Sequence, residues 1–317
     1  MTAVNTLAGR DCLRLLDLSP EEVRLVLDTA ARQKADWAAG VRDKPCEDKA
    51  VAIILEKPSM RTRTSFETAV FRLGAHPLVM SDEHSAFSRG ETVHDTVLVL
   101  ERYVDAIVLR TFKQSKVEEV AKWASVPVVN GLTDVFHPCQ GLADALTIRE
   151  HKGRLEGLTL AYVGDGNNMA HTYLELGALT GMYVRICTPD GYGPDADVVT
   201  ECRKAAVKTD ASVELLSRPQ DAVGGADVVI TDTWTSMGDE DEHERRRAAF
   251  DNFQVNEELM SRAKSDAIFM HCLPAHRGEE ATDGVLDGPQ SVIFDEAENR
   301  LHAQKALLSL LMERAPS

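Results

Sequence analysis

Residues 51–73, VAIILEKPSMRTRTSFETAVFRL, contain an apolar run, a polar turn and an amphipathic segment in immediate succession. The run Val51–Leu55 is continuously apolar, as expected of a parallel strand that helices cover on both faces. Four apolar residues then recur at helical spacing: Phe66, Ala69, Val70 and Leu73. Thr64 and Glu67 have capping-box spacing, which predicts a helix start near Thr64. Ser59–Arg63 therefore joins the carboxyl end of a strand to the start of a helix.

The segment Ser59–Arg63 has the chemistry of an anion site. Free backbone N–H groups and the helix dipole favour negative charge at a helix N-terminus. Arg61 and Arg63 add guanidinium groups, and Ser59 and Thr62 add hydroxyl donors. The alternative is a capped helix with two surface arginines. The junction carries no glycine-rich loop, so a nucleotide P-loop is not indicated.

Short apolar runs alternate with amphipathic segments along most of the chain. Seven further runs are candidate strands: Ala106–Leu109, Pro127–Val129, Thr159–Val163, Val184–Cys187, Val213–Leu215, Asp227–Thr231 and Ala267–His271. This alternation predicts an α/β fold with open parallel sheets. The length of 317 residues favours two domains. Helices are predicted at Gln140–Lys152, which Gly153 terminates, and at about Ala297–Arg314.

Composition and charge exclude several functional classes. A net charge of −16 disfavours binding to nucleic acid or to anionic membranes. No apolar stretch approaches the ~20 residues that span a bilayer, and the first residues lack the apolar core of a signal peptide. The six cysteines form no CxxC pair, so no zinc or redox motif is indicated, and they suit a reducing compartment. The dinucleotide fingerprint at Gly164–Asn168 is incomplete, since Met169 replaces its third glycine, which argues against a nicotinamide cofactor.

Polar groups follow several predicted strands at the ends where open α/β sheets bind ligands. They are Arg110, the segment His137–Gln140, Asp232 with Ser236–Gly238, and the segment His271–Pro274. Each group alone has a structural explanation, such as a helix cap, a buried hydrogen bond or a small buried thiol. Their common placement at strand ends favours a functional site.

Taken in order, these motifs resemble those of the aspartate/ornithine carbamoyltransferase family along essentially the whole chain. Ser59–Arg63 is similar to the family's carbamoyl-phosphate loop, and His137–Gln140 to its second signature. Three further segments resemble the signatures of the ornithine-type members: His271–Pro274, Asn167–Asn168, and Asp232 with Ser236–Gly238. Arg300 matches a family arginine near the carbamoyl carbonyl.

The resemblance implies two doubly wound parallel-sheet domains with helices crossing between them. Residues 1–150, joined by the C-terminal helix at about 298–317, would bind carbamoyl phosphate, and residues 151–297 would bind ornithine. The implied reaction carbamoylates the side-chain amine of L-ornithine, giving L-citrulline and phosphate, without a cofactor or metal. The resemblance also implies a cytoplasmic homotrimer, or a multiple of trimers, with active sites near subunit boundaries.

Individual roles are carried over by position in the matching motifs. The implied carbamoyl-phosphate contacts are Ser59, Met60, Arg61, Thr62, Arg110, His137, Gln140, Cys272, Leu273 and Arg300. The implied ornithine contacts are Asn168, Asp232, Ser236 and Met237. The implied catalytic residues are Arg110, His137, Gln140, Asp232, Cys272 and Arg300.

Two departures and several alternatives accompany the resemblance. Met60 stands where most members carry Thr, and Met is shared with acetylornithine-type relatives. Ala86–Ser88 lacks the usual side chain that reaches a neighbouring subunit's phosphate, and the candidate substitutes are His84 and Ser85. Acetylornithine or putrescine carbamoyltransferases and a non-catalytic paralogue are the alternatives. An aspartate enzyme is disfavoured because Ala275 follows Leu273-Pro274 where that type carries Arg.

The charged stretch Asp239–Glu242, followed by Arg245–Arg247, is predicted to be a solvated helix face.

Overall fold

The computed structural model describes residues 6–81, 90–235 and 242–313. The chain divides into two compact units: unit 1 combines residues 1–146 with 298–317, and unit 2 comprises residues 147–297. Both divisions fall inside helices, namely α5 (Pro138–Lys152) and α12 (Ile293–Leu311). The predicted helices that cross between two parallel-sheet domains are therefore confirmed. None of the described helices is long and apolar enough to cross a membrane.

Unit 1 contains a four-stranded sheet in the order β2-β1-β3-β4, with every neighbouring pair parallel. Its strands are β1 (Ala50–Leu55), β2 (His76–Ser81), β3 (Ala106–Arg110) and β4 (Val128–Leu132). Its own helices are α1 (Pro20–Ala38), α2 (Met60–Arg72), α3 (Val93–Leu100) and α4 (Gln114–Trp123), with a short 3-10 turn at Leu15–Asp17. The strand order reverses between β1 and β3, which is where doubly wound sheets bind ligands.

Unit 2 contains a five-stranded parallel sheet in the order β7-β6-β5-β8-β9. Its strands are β5 (Thr159–Val163), β6 (Tyr183–Cys187), β7 (Ser212–Leu216), β8 (Val228–Thr231) and β9 (Ile268–His271). Its helices are α6 (Asn168–Thr180), α7 (Ala196–Ala206), α8 (Pro219–Val223), α9 (His243–Phe250), α10 (Glu257–Met260) and α11 (Asp283–Leu286), with a 3-10 turn at Asp251–Phe253. Here the order reverses between β5 and β8.

The central strands are buried on both faces, which explains why their sequences are continuously apolar. In unit 1, Ala52 and Ile54 of β1 pack with Ile107 and Leu109 of β3 in one core cluster. In unit 2, Ala161 and Val163 of β5 pack with Val229 of β8 and Phe269 of β9, among others. All eight predicted strands are confirmed, with ends shifted by a few residues.

Strand β2 (His76–Ser81) was not predicted. It lies at the edge of its sheet and pairs only with β1 among the described strands. Its six residues are partly exposed or exposed, although Leu78, Val79 and Met80 form a short apolar run. The Pro at position 77 is tolerated because an edge strand leaves one row of N–H groups outside the ladder.

Two predicted helix limits were wrong. Helix α2 begins at Met60 rather than near Thr64, because Ser59 is its N-cap and accepts a hydrogen bond from the Thr62 N–H at 3.2 Å. Arg61 and Arg63 therefore lie in the first turn of the helix instead of in the preceding loop. Helix α12 spans Ile293–Leu311, earlier at both ends than the predicted 297–314.

Candidate active-site residues of the two units

The predicted phosphate-binding residues of unit 1 meet at the carboxyl end of its sheet. Arg110 is the last residue of β3 and is 7% exposed. Its Nη1 donates to Oγ1 of Thr62 at 3.2 Å, and Thr62 lies in the first turn of α2. Ser59 caps the same turn. The structure therefore brings a buried guanidinium, a buried hydroxyl and a helix N-terminus together, a set suited to an anion.

The neighbouring residues of the same segment differ in exposure. Met60 is 74% exposed, so its side chain contributes little packing to unit 1. Arg61 is half-buried, whereas Arg63 is exposed and its Nε lies 3.4 Å from a carboxylate oxygen of Glu67. Arg63 therefore forms an ordinary surface ion pair with Glu67, as the alternative interpretation of a capped helix with surface arginines expects.

His137, Gln140 and Arg300 form the second group of unit 1, and all three are buried. His137 precedes α5, and its carbonyl accepts from the Gln140 N–H at 3.0 Å. Arg300 Nη1 donates to Gln140 Oε1 at 2.7 Å, while Gln140 Nε2 donates to Oδ1 of Asp144 at 2.8 Å. Asp144 is fully buried, so the amide of Gln140 is held from both sides.

Electrostatics keep the His137 imidazole neutral. Burial lowers its pKa well below the ordinary value, and the positive charges of Arg300 and Arg110 lower it further. The same two charges show that His137 sits in an electropositive environment. A neutral imidazole in the field of two guanidinium groups can donate a hydrogen bond to an oxygen that gains negative charge.

In unit 2, Asp232 is hydrogen-bonded to other residues of the motifs predicted to bind the amine substrate. It follows β8 and is 9% exposed. Its Oδ2 accepts from Nδ2 of Asn167 at 3.1 Å, and its Oδ1 accepts from Sγ of Cys272 at 3.2 Å and from the Thr233 N–H at 2.8 Å. Asn167 is the N-cap of α6, and Asn168 is the first residue of that helix. The carboxyl ends of β5, β8 and β9 thus present one carboxylate, an amide and a thiol to each other.

The segment after β9 is held by His271. This imidazole is fully buried; its Nδ1 accepts from the Leu273 N–H at 2.9 Å, and its Nε2 lies 3.0 Å from Oε1 of Glu280. The same Glu280 oxygen accepts from the His276 N–H at 2.6 Å. Leu273 has a φ of +60°, an unusual backbone for a residue with a side chain. The His271–Glu280 pair therefore stabilises a strained turn that carries Cys272.

All six cysteines are free thiols, and Cys272 alone among them is not fully buried. Its Sγ lies within 4.8 Å of ligand atoms of Asp232 and His271, a spacing that a metal ion could use. Both ring nitrogens of His271 already make hydrogen bonds within the turn, so a metal at this point would have to break one of them.

Several predicted positions lie outside the described residues. They are Ser236, Met237 and Gly238 of the acceptor motif, Asp239–Asp241, and the segment that contains His84, Ser85 and Ala86–Ser88.

Two family models match the chain almost end to end. Residues 10–150 match the carbamoyl-P binding domain of aspartate/ornithine carbamoyltransferase, and residues 156–311 match its Asp/Orn binding domain. The chain belongs to the aspartate/ornithine carbamoyltransferase family.

Relatives in this family match the chain over nearly their full length. The ornithine carbamoyltransferase of Thermococcus kodakarensis is 52% identical over 98% of this chain and 98% of its own. The relative from Pyrococcus furiosus named "Ornithine carbamoyltransferase, anabolic" is 51% identical, with 98% of each chain covered. A solved structure of the ornithine carbamoyltransferase from Pyrococcus furiosus superposes with a TM-score of 0.94, covering 96% of this chain and 98% of that one.

Several residues that link the family motifs were not singled out from the sequence. Asp165 and Arg246 contact each other across 81 residues, so local patterns do not reveal that pair. Asp144 and Glu280 lie 4 and 9 residues from the groups they contact, Gln140 and His271. One signal was available: Asp144 lies one helical turn after Gln140, the spacing of side chains that meet on a helix. The predicted solvated face at Arg245–Arg247 was wrong for Arg246, whose side chain is only 13% exposed.

Proposed function

We propose that this carbamoyltransferase moves the carbamoyl group of carbamoyl phosphate to the side-chain amine of L-ornithine, giving L-citrulline and phosphate. The observation that carries the proposal is the electropositive cluster of Arg110, His137 and Arg300 in a unit that matches the carbamoyl-P binding domain. The acceptor assignment rests on the Asp232 cluster and on the relatives named ornithine carbamoyltransferase.

For the first substrate, we assign the phosphate to Ser59, the Met60 backbone, Arg61, Thr62 and Arg110. These groups combine a helix N-terminus with cationic and hydroxyl donors, as phosphate binding requires. The assignment of Met60 to a backbone contact agrees with a side chain that is 74% exposed.

The carbonyl oxygen becomes an oxyanion when the amine attacks. We assign its stabilisation to Arg110, Thr62 and the neutral His137, with Arg300 adding positive charge. Gln140 accepts from the carbamoyl NH2 group, since its Oε1 keeps a second lone pair beside the bond from Arg300. The C–O bond to phosphate then breaks, and the departing phosphate takes up the proton that the attacking nitrogen loses, so no covalent enzyme intermediate is needed.

For the acceptor, we assign the α-ammonium group to Asp232, and the remaining α-amino and α-carboxylate contacts to Asn168, Ser236 and Met237. Cys272 and the Leu273 carbonyl receive the side-chain amine. That amine resembles the Lys amine, whose free pKa is about 10.4, and only its neutral form attacks. Activity should therefore rise from neutral toward alkaline pH.

The domain assignment follows the same division of labour. We propose that residues 1–150 with about 298–317 bind carbamoyl phosphate and that residues 151–297 bind ornithine. The two compact units divide at 146/147 and 297/298.

We also propose a cytoplasmic homotrimer, or a multiple of trimers, that works in the anabolic direction toward arginine. A relative named anabolic supports the direction, and the bacterial and archaeal origin of the relatives supports the location. Light scattering should give a mass of three, or a multiple of three, times 34.8 kDa.

A panel of amines tests the acceptor. Citrulline or the corresponding ureido product is measured with carbamoyl phosphate and ornithine, acetylornithine, putrescine, lysine or aspartate. Robust turnover with ornithine alone is the expected result. Preference for acetylornithine or putrescine would contradict the acceptor assignment while leaving the phosphate assignment in place, and no turnover with any amine would favour a non-catalytic paralogue.

A further inference from the structure

Arg246 differs from its neighbours on helix α9. Its side chain is 13% exposed, whereas Arg245 and Arg247 are exposed on the same helix. Its guanidinium lies over the ring of Tyr192, with Cζ 5.3 Å from the ring centroid. An arginine that is mostly removed from solvent on an otherwise charged, solvated helix requires partners within the unit.

Those partners come from three separate segments. Arg246 Nη1 donates to Oδ2 of Asp165 at 2.7 Å and to the carbonyl of Trp234 at 3.1 Å. Its Nε donates to Oε2 of Glu242, one helical turn earlier, at 3.2 Å. Asp165 belongs to the turn after β5, and Trp234 follows β8, so one side chain joins two of the strand ends that carry acceptor groups.

The two residues that Arg246 contacts, Asp165 and Trp234, lie next to the predicted acceptor residues in sequence. Asp165 lies two residues before Asn167, and Trp234 lies two residues after Asp232. Asn167 and Asp232 are themselves hydrogen-bonded at 3.1 Å. We propose that Arg246 is a positioning residue for the acceptor: by holding Asp165 and the Trp234 carbonyl, it fixes Asn167 and Asp232 in the geometry that binds the amino-acid end of ornithine.

Charge supports the same role. Asp165 is 8% exposed, and burial raises the pKa of its carboxyl, whereas the charge and hydrogen bond of Arg246 lower it and the charge of Asp232 raises it. Without Arg246, the Asp165 carboxylate would face the charge of Asp232 without the cation that now pairs with it. The Asp165 carboxylate would then have to move, take up a proton or draw in water.

The inference rests on the proposed function, because it assigns Arg246 to the acceptor half of that reaction. Asp232, which Asn167 holds by a hydrogen bond, is assigned to the α-ammonium group, a part of the substrate that does not react, so this contact binds the ground state and the transition state alike. Loss of their alignment should therefore raise the KM for the acceptor more than it lowers kcat. The carbamoyl-phosphate groups belong to unit 1, so the KM for carbamoyl phosphate should stay nearly constant.

The test compares Arg246→Met with Arg245→Met and Arg247→Met, which remove the same charge from exposed positions of the same helix. We expect Arg246→Met to raise the KM for ornithine by about 10- to 100-fold, as small displacements of positioning groups do. The two controls should remain within about twofold of the wild type for both substrates. Arg246→Lys should lie between, because an ammonium can reach one acceptor but lacks the guanidinium fork.

A double variant separates positioning from general loosening of α9. Asp165→Asn removes the carboxylate that Arg246→Met leaves without its cation. The fold-increase in the ornithine KM of the double variant should therefore be smaller than the product of the fold-increases of the two single variants. If Arg246→Met does not fold, as judged by circular dichroism, Arg246→Lys and Asp165→Asn must each show the selective rise in the ornithine KM.

Two outcomes overturn the inference. One is a folded Arg246→Met enzyme whose ornithine KM matches that of Arg247→Met. The other is a KM for carbamoyl phosphate that rises as much as that for ornithine. Failure of the proposed function is recognised separately, since the wild type itself would then not carbamoylate ornithine; if it carbamoylates another amine of the panel, the same comparison is made with that amine.

Discussion

Replacing Arg300 with Met tests the oxyanion assignment with little change in side-chain length. Arg300 is 4% exposed and donates to Gln140 Oε1 at 2.7 Å, and its charge is one of the causes that lower the pKa of His137. The variant therefore removes a charge-assisted hydrogen bond and a positive charge from the same cluster, while Asp144 continues to hold Gln140 Nε2.

The expected magnitude follows from these contacts. A hydrogen bond to a charged group is worth about 1.5–3 kcal/mol, and removal of one donor to a developing oxyanion costs about 2.7–4 kcal/mol. The two figures describe the same side chain, so the larger one applies. With a tenfold rate change per ~1.4 kcal/mol, kcat should fall by about 10²–10³. Burial still keeps the pKa of His137 below its ordinary value, so the imidazole stays neutral and the fall should persist across neutral and alkaline pH.

The assay is steady-state citrulline formation with both substrates saturating. Arg300→Lys keeps the charge and should lose less activity than Arg300→Met, while the exposed Arg102→Met serves as a control that should match the wild type. A kcat for Arg300→Met within about threefold of the wild type would refute the assignment of Arg300 to the reacting carbonyl.

Three further predictions concern single residues. Folding lowers the pKa of His137, so the unfolded state binds one more proton than the folded state once the pH falls below the unfolded value near 6.5, and the wild type loses stability there. His137→Gln lacks this group, so its unfolding free energy, measured by urea titration, should fall less than that of the wild type, by about 1.4 kcal/mol per pH unit. Asp232→Asn should raise the KM for ornithine by about 10- to 100-fold with an unchanged KM for carbamoyl phosphate, because the α-ammonium loses a charged partner; equal rises for both substrates would contradict the assignment. A Cβ at Gly166 would lie 2.3 Å from the Gly193 carbonyl carbon, so Gly166→Ala should destabilise the protein by about 1–3 kcal/mol, whereas Gly193→Ala, whose nearest contact would be at 3.9 Å, should not.

The strands were the most predictable part of this fold. Central strands such as β3 and β5 are buried on both faces, and burial selects the continuous apolar runs that mark them in the sequence. Strand β2 was not predicted: it lies at the sheet edge, its residues are partly exposed, and its apolar run is only Leu78, Val79 and Met80. The start of α2 was misplaced because Thr64 and Glu67 have capping-box spacing, while the N-cap that the structure uses is Ser59.

Within the site, residues at strand ends were predictable, but the links between them were not. Arg110 follows a clear strand, and the structure joins it to Thr62 as expected of one anion site. Asp165 and Arg246 are separated by 81 residues, and only the folded sheet of unit 2 brings them together. The sequence pattern also treats Arg245, Arg246 and Arg247 alike, because exposure depends on which one faces the strand ends.

The most direct test of carbamoyl transfer follows the carbamoyl carbon itself. The enzyme is incubated with carbamoyl phosphate labelled with carbon-13 and with L-ornithine, and the label is followed by NMR while phosphate is measured. We expect the label to appear in the ureido carbon of citrulline, with one phosphate released per citrulline. Label that appears only in hydrolysis products, or phosphate release that does not depend on ornithine, would contradict it.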